Sequence, residues 1–313
     1  MKKIVWLLMM VVMPMVANVA FSRNADLEDE DELLHRLDQY IARRDEFSSQ
    51  KEKKLIRMKK KLNLTSGKRE CLNLYYQIYR EYYTYRYDSA MVYANRGLQL
   101  AEQLHDTYYI DLNKINRAAV LSTGGFYSQA EDLLLSLKPE DISPKLIQYY
   151  YYILTWMYNY WGAFCERSEF KDEMQDKKRL YLAKSLEYVG NKQSALYYYL
   201  SGELEYLLHR TDKKVLGWYQ KALAASPIDS RVHASAAYCI ARYYQDNEQM
   251  DLYEKYLVEA AISDQVCPLK ENLALQELST YLYNKDAKYA KRVSKYIYCS
   301  MEDAQFYNNR LRM

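Results

Sequence analysis

Glycine and proline are scarce in this chain, 8 and 5 among 313 residues, where about 7% and 5% are usual. So little turn material argues against a fold of many short strands and tight hairpins and leaves long helices as the economical way to use the chain. Charge of one sign is missing too. With 44 basic and 41 acidic side chains the net charge is +3, which gives no broad positive field for tracking phosphates, so nucleic acid is not an expected partner of this part of the chain. Cysteines are few and odd in number: Cys71, Cys165, Cys239, Cys267 and Cys299. None stands at metal-ligand spacing or as C-x-x-C, and in apolar helical surroundings they read as small buried hydrophobes. A disulfide between Cys267 and Cys299 is the one pairing worth considering.

The motifs of chemistry are also missing. The sequence holds no G-x-x-x-x-G-K-[ST] loop, no G-x-G-x-x-G, no H-E-x-x-H and no G-x-S-x-G. His35, His105, His209 and His233 stand far apart, and Glu203 and Glu205, two apart on a predicted helix, point to different faces. Asp141, Asp212 and Asp229 read as helix starts or loop residues. The expectation is therefore a protein that is not an enzyme, with no catalytic residues, no cofactor and no metal.

What is present begins with an address. Lys2 and Lys3 precede an uncharged run from Ile4 to Ala17, and Ala20-Phe21-Ser22 ends it in small-x-small form. This is the pattern of a signal peptide over residues 1–22, cleaved near Ser22. The run is shorter than the roughly 20 residues that cross a bilayer, and no cysteine near the cleavage point offers a lipid anchor. The expected location is outside the inner membrane, in the periplasm.

Residues 23–65 read as one long charged helix, acidic from Asp26 to Glu32 and basic from Lys51 to Lys61. Both ends oppose the helix dipole, worth roughly 0.3–1 kcal/mol per well-placed charge. Leu34, Ile41, Leu55 and Leu62 recur at multiples of seven, while Arg44, Ser48 and Lys51 interrupt the stripe, so it is a packing seam only at its two ends. The basic run reads as a solvated face.

From residue 66 to 300 the chain repeats. Triplets spaced four then three place three side chains on one helical face: Ala90, Ala94, Gly97; Ala130, Leu134, Leu137; Leu182, Leu186, Val189; Val215, Tyr219, Ala222; Tyr253, Leu257, Ala260; and Ala290, Ser294, Ile297. The interval from Leu137 to Val189 is longer than the others and contains the charged stretch Glu166 to Arg179, read as an insertion or a lengthened helix. Residues 301–313 would form a capping or connecting helix.

Gly125-Phe126-Tyr127-Ser128-Gln129-Ala130 resembles the turn of a tetratricopeptide (TPR) repeat, and Trp218-Tyr219-Gln220-Lys221-Ala222-Leu223 ending at Pro227 resembles a TPR second helix. Ala241, Tyr244, Tyr253 and Ala260 fit the same pattern, while Glu81 and Glu203 depart from it. The resemblance implies an all-α, TPR-like right-handed solenoid of about six helix hairpins, in which small residues let paired helices approach and aromatics fill the gaps. The whole chain is similar to bacterial envelope TPR proteins that form the extracytoplasmic part of membrane-bound regulators.

Tyrosine supplies 36 of the aromatic residues against 6 Phe and 4 Trp, and a tyrosine can bury its ring while its hydroxyl meets a partner. On the first helices, which line the groove of a TPR array, Tyr75, Tyr79, Tyr238, Arg242 and Gln245 are the expected ligand-facing residues. Most of the remaining tyrosines are expected in the core. The function that follows is binding of a peptide or protein partner in the cell envelope, as the sensory input part of a signalling or transcription-regulating protein. The alternative is a scaffold or adaptor of an envelope assembly. Membrane attachment would come from a region beyond residue 313.

Overall fold

A computed structural model describes residues 29–165, 168–270 and 273–307. The expected long charged helix is two. In α1 (Glu30–Ala42), Asp29 caps the N-terminus by accepting from the Asp31 amide, and Glu30, Asp31 and Glu32 fill the first turn. The helix breaks at Arg43, whose φ of −97° and ψ of 5° leave the helical well. Arg43 then pairs with Glu46 at 2.9 Å on the first turn of α2 (Arg44–Leu64). Continuous helical propensity hides this break from a reading of the sequence.

Six hairpins follow: α3 (Lys68–Tyr82) with α4 (Tyr87–Gln103), α5 (Thr107–Thr123) with α6 (Tyr127–Leu135), α7 (Ile147–Phe164) with α8 (Lys171–Glu187), α9 (Ala195–Leu208) with α10 (Lys213–Ala224), α11 (Arg231–Asp246) with α12 (Met250–Val266), and α13 (Leu273–Lys285) with α14 (Ala290–Tyr307). Among the described residues there are no strands. This is the all-α TPR-like solenoid that the repeats foretell. Close approach is secured where Cβ atoms are absent: a side chain at Gly202 would meet the Tyr219 ring at 2.6 Å, and one at Gly97 would meet Asn113 at 2.5 Å.

The triplet faces of hairpins one, two, four and five are buried as read. The sixth is not. Ala290, Ser294 and Ile297 face solvent, and the core positions are Tyr289, Val293 and Tyr296, one residue earlier with the same spacing. One residue turns an α-helix by about 100°, so choosing small residues over tyrosines rotated the whole face outward. The charged stretch after α7 forms the first turns of α8; Glu166 and Arg167 lie outside the described residues. Likewise α14 runs unbroken from Ala290 to Tyr307, so no separate helix starts at 301, and residues 308–313 lie outside the described residues. All five cysteines are free thiols, Cys267 and Cys299 included.

The array closes on itself. The Tyr307 hydroxyl, at the end of α14, donates to the Tyr83 carbonyl at 3.0 Å, and the Phe306 and Tyr85 rings lie 5.0 Å apart. The Lys270 amide donates to the Thr84 carbonyl at 3.0 Å. Ser300, Asp303, Ala304 and Tyr307 are consequently buried where a free end would show a polar cap. Helices α1 and α2 strap across this junction. Leu33, Leu34, Leu37 and Ile41 of α1 join the core of the last three hairpins, while Leu55 of α2 joins that of the first.

Candidate functional site

Ring closure places the first helices of the hairpins around an interior with two adjoining cavities. The smaller, about 440 Å³, is lined by α7, α9, α11 and α13, with Lys178 from α8 and Tyr219 from α10. Helical periodicity builds it: Tyr152, Trp156, Asn159 and Tyr160 fall on one face of α7, Tyr199, Glu203 and Tyr206 on one face of α9, and Arg231, Ser235, Tyr238 and Arg242 on one face of α11. Its size and aromatic lining with a few polar groups are those of a ligand pocket.

The polar groups differ in how far they are already used. Glu203 is buried and accepts from Tyr219 Oη at 2.8 Å, Cys239 Sγ at 3.3 Å and Lys178 Nζ at 3.3 Å. Burial works against its charge, but Lys178 and these hydrogen bonds hold its pKa below the ordinary carboxylate value. Burial, and then the Glu203 charge, push the Cys239 thiol well up, which keeps it protonated and unreactive. By contrast Arg242 meets no carboxylate within ion-pair distance among the described residues; its guanidinium lies over the Tyr206 ring, 5.7 Å from the centroid. Trp156 Nε1 is buried without a protein hydrogen-bond partner.

The larger cavity, about 700 Å³, lies between the strap and the ring. Lys51, Lys54 and Arg57 enter it from α2 at three-residue spacing, Arg80 and Glu81 from α3, and Asp229 and Arg231 from the approach to α11. Lys51 and Lys54 both pair with Glu81, at 3.7 and 2.7 Å. Burial lowers the Lys51 pKa. Arg231 donates to Tyr160 Oη at 3.3 Å and lies over the Tyr83 ring. Arg57 donates to the Lys53 carbonyl and Arg80 lies over the Tyr76 ring, and neither meets a carboxylate among the described residues. Tyr152, Arg231 and Leu269 line both cavities and join them into one chamber.

Of the residues expected to face a ligand, Tyr238 and Arg242 come together in the smaller cavity and Tyr79 lies in the wall of the larger, its hydroxyl 3.3 Å from the Asn116 carbonyl. Tyr75 packs on Tyr93 at 6.2 Å within the first hairpin, and Gln245 is exposed; neither lines either of these two cavities. Trp156 and Arg231 belong to no motif or spacing that sequence reasoning singles out. The basic run of α2 is exposed at Lys53, Lys54, Arg57, Lys60 and Lys61, as a solvated face is, and Lys51, Lys54 and Arg57 also line the chamber. Among the described residues no three His, Cys, Asp or Glu side chains gather as a metal ion would need, and no helix is long and apolar enough to cross a membrane.

A ring of helix hairpins around an aromatic and cationic chamber defines a TPR-type repeat module, a class whose members are typically non-catalytic and generally mediate protein–protein interactions. Residues 41–313 match the family described as the SusR N-terminal TPR domain, and the chain belongs to that family. No curated protein matches the chain.

Proposed function

We propose that this chain is a non-catalytic recognition module of the bacterial cell envelope, the sensory input part of a signalling or transcription-regulating protein, and that it takes a peptide or protein segment into its chamber. The observation that carries this reading is Arg242, a permanently charged guanidinium with no carboxylate at ion-pair distance among the described residues, although the Glu277 charge reaches it, sharing with Tyr238 and the buried Trp156 indole a cavity built mainly by four first helices. Arg, Trp and Tyr are the residues that dominate binding hot spots. The family's description as an N-terminal domain supports an input region placed ahead of an output region.

The test is direct titration of the purified chain against an array of synthetic peptides. Sequence-selective binding that weakens about 30-fold in Arg242→Ala, the loss of a hot spot worth roughly 2 kcal/mol, is the expected result; no binding across the array would sink the reading. Envelope placement is tested separately by fusing residues 1–30 to a reporter that is active only outside the inner membrane. The exposed apolar face of Ile297, Tyr298 and Met301 on α14 favours the scaffold as a second reading. Stable stoichiometric co-purification with membrane proteins through that face would support it.

A further inference from the structure

The larger cavity concentrates charge that the chain as a whole does not carry. Its wall holds five cations, Lys51, Lys54, Arg57, Arg80 and Arg231, against two carboxylates, Glu81 and Asp229. The balance is also uneven within the wall, because Glu81 is shared by Lys51 and Lys54, while Arg57 and Arg80 meet no carboxylate among the described residues. Continuing through the shared wall at Arg231 and Tyr152, the smaller cavity brings Arg242, over the Tyr206 ring and with no carboxylate at ion-pair distance among the described residues, together with two carboxylates, Glu203, which Lys178 pairs, and Asp264.

Guanidinium groups match carboxylates in geometry, two parallel N–H donors to two oxygens, and such pairs are roughly twice as strong as neutral hydrogen bonds. Lys51 is the buried member of the group, where loss of water lowers its pKa, while Arg57 and Arg80 are exposed and free to meet a ligand from solvent. A sequence of guanidiniums at one end of a chamber and aromatic rings at the other therefore selects an extended ligand with carboxylates at one end and an apolar or aromatic side chain at the other.

Resting on the recognition role proposed above, we infer that the partner is an acidic peptide segment, with two or more carboxylates set against Arg57 and Arg80 and an apolar side chain carried inward toward Tyr238 and Arg242. Charge complementarity commits the site to this occupant: a basic segment would face the uncompensated cations, and a neutral one would leave Arg57 and Arg80 unused. Because α2 forms one wall, the ligand's carboxylates compete with Glu81 for Lys51 and Lys54, so binding weakens as salt rises.

The experiment compares three synthetic peptides of one length and one central aromatic residue by calorimetry on the full chain: Asp/Glu-flanked, the Asn/Gln isostere, and the Lys-flanked version. The acidic peptide is expected to bind at least about 10-fold more tightly than its isostere, and that ratio is expected to collapse toward one in Arg57→Ala/Arg80→Ala. Both arginines are exposed at the cavity mouth, so the variant keeps its fold, which a thermal melt verifies; Arg57→Glu/Arg80→Glu should turn the preference to the Lys-flanked peptide. Equal binding of the acidic peptide and its isostere would overturn the acidic preference and leave the recognition role standing. No binding by any of the three, together with an empty peptide array, would overturn both.

Discussion

The two halves of the N-terminal strap are both rich in charge, α1 acidic and α2 basic, and their attachments differ. In α1 four apolar residues, Leu33, Leu34, Leu37 and Ile41, are buried among the last hairpins. Ion pairs flank them: Arg36 with Glu259 at 3.5 Å, Asp38 with Arg292 at 2.9 Å, and Glu30 with Lys285 at 3.1 Å. In α2, eight residues longer, Leu55 alone is fully buried. The difference shows that a run of charge does not decide whether a helix is fixed; the spacing of a few leucines does. It makes α1 part of the folded body and α2 a wall with one buried apolar anchor, Leu55, held otherwise by ion pairs from Arg44, Lys54 and Lys61, beside the chamber it covers.

The largest effect is expected where the two halves meet. Asp303 is buried and takes Lys270 Nζ at 2.6 Å and Arg44, the first residue of α2, at 2.7 Å. Asp303→Ala leaves the Lys270 ammonium buried and uncompensated, a loss of about 3–5 kcal/mol, visible as a large fall in Tm. A fall of only a degree or two would mean that the junction is not a fixed point.

Leu37→Ala in α1 comes next, at about 2–5 kcal/mol for a fully buried leucine, and it should lower the global Tm because its neighbours form the core of three hairpins. Leu55→Ala removes an equally buried side chain, yet its global effect should be smaller, because α2 detaches locally and the loss is limited to the cost of that opening. Hydrogen exchange should show faster amides through α2 and unchanged ones through α1. Equal global losses at the two positions would erase the comparison.

The smallest effect is a pH dependence at the edge of α1. His233 Nε2 lies 3.4 Å from Glu259, the partner of Arg36. The hydrogen bond to Glu259 raises the His233 pKa above its ordinary 6.5, and the same bond lowers the Glu259 pKa below its ordinary 4.5. A raised histidine pKa stabilises the fold fully below 6.5, and that contribution is lost as pH rises through the folded value; a lowered carboxylate pKa stabilises it above 4.5, and that is lost as pH falls through its folded value. The tie is therefore complete between about pH 4.5 and 6.5, and the protection of α1 amides, taken relative to their intrinsic exchange rate at each pH, should fall on moving to pH 8. His233→Asn should remove that fall in protection.

Much of this was legible in sequence because repeats are local. The four-then-three spacing located the second helices, and the interrupted heptad gave contact at the two ends of the strap, where Leu34, Ile41 and Leu55 are buried and Leu62 half-buried. The sixth hairpin misled because tyrosine does here what leucine and alanine do elsewhere: Tyr289 and Tyr296 are core residues. At the candidate site, Tyr238 and Arg242 share a cavity because they are one helical turn apart on one element. Arg57 and Arg80 meet because α2 packs on the next helix, but Arg231 joins them through ring closure, which rests on contacts such as Tyr307 with Tyr83, more than two hundred residues apart, and local spacing carries no record of those.

Closure has a consequence for how the array comes apart. An open stack of repeats behaves as a one-dimensional chain of neighbours, and its weakest members are the two ends, where each repeat has one neighbour. Here the hydroxyl of Tyr307 and the ring of Phe306 give the last hairpin the first as its neighbour, so the chain of couplings has a periodic boundary. Fraying from either end must then break this seam as well, and unfolding becomes more cooperative than in an open stack. Tyr307→Phe, which deletes a single hydroxyl, should restore the asymmetry of an open stack, with the first and last hairpins exchanging their amides ahead of the middle.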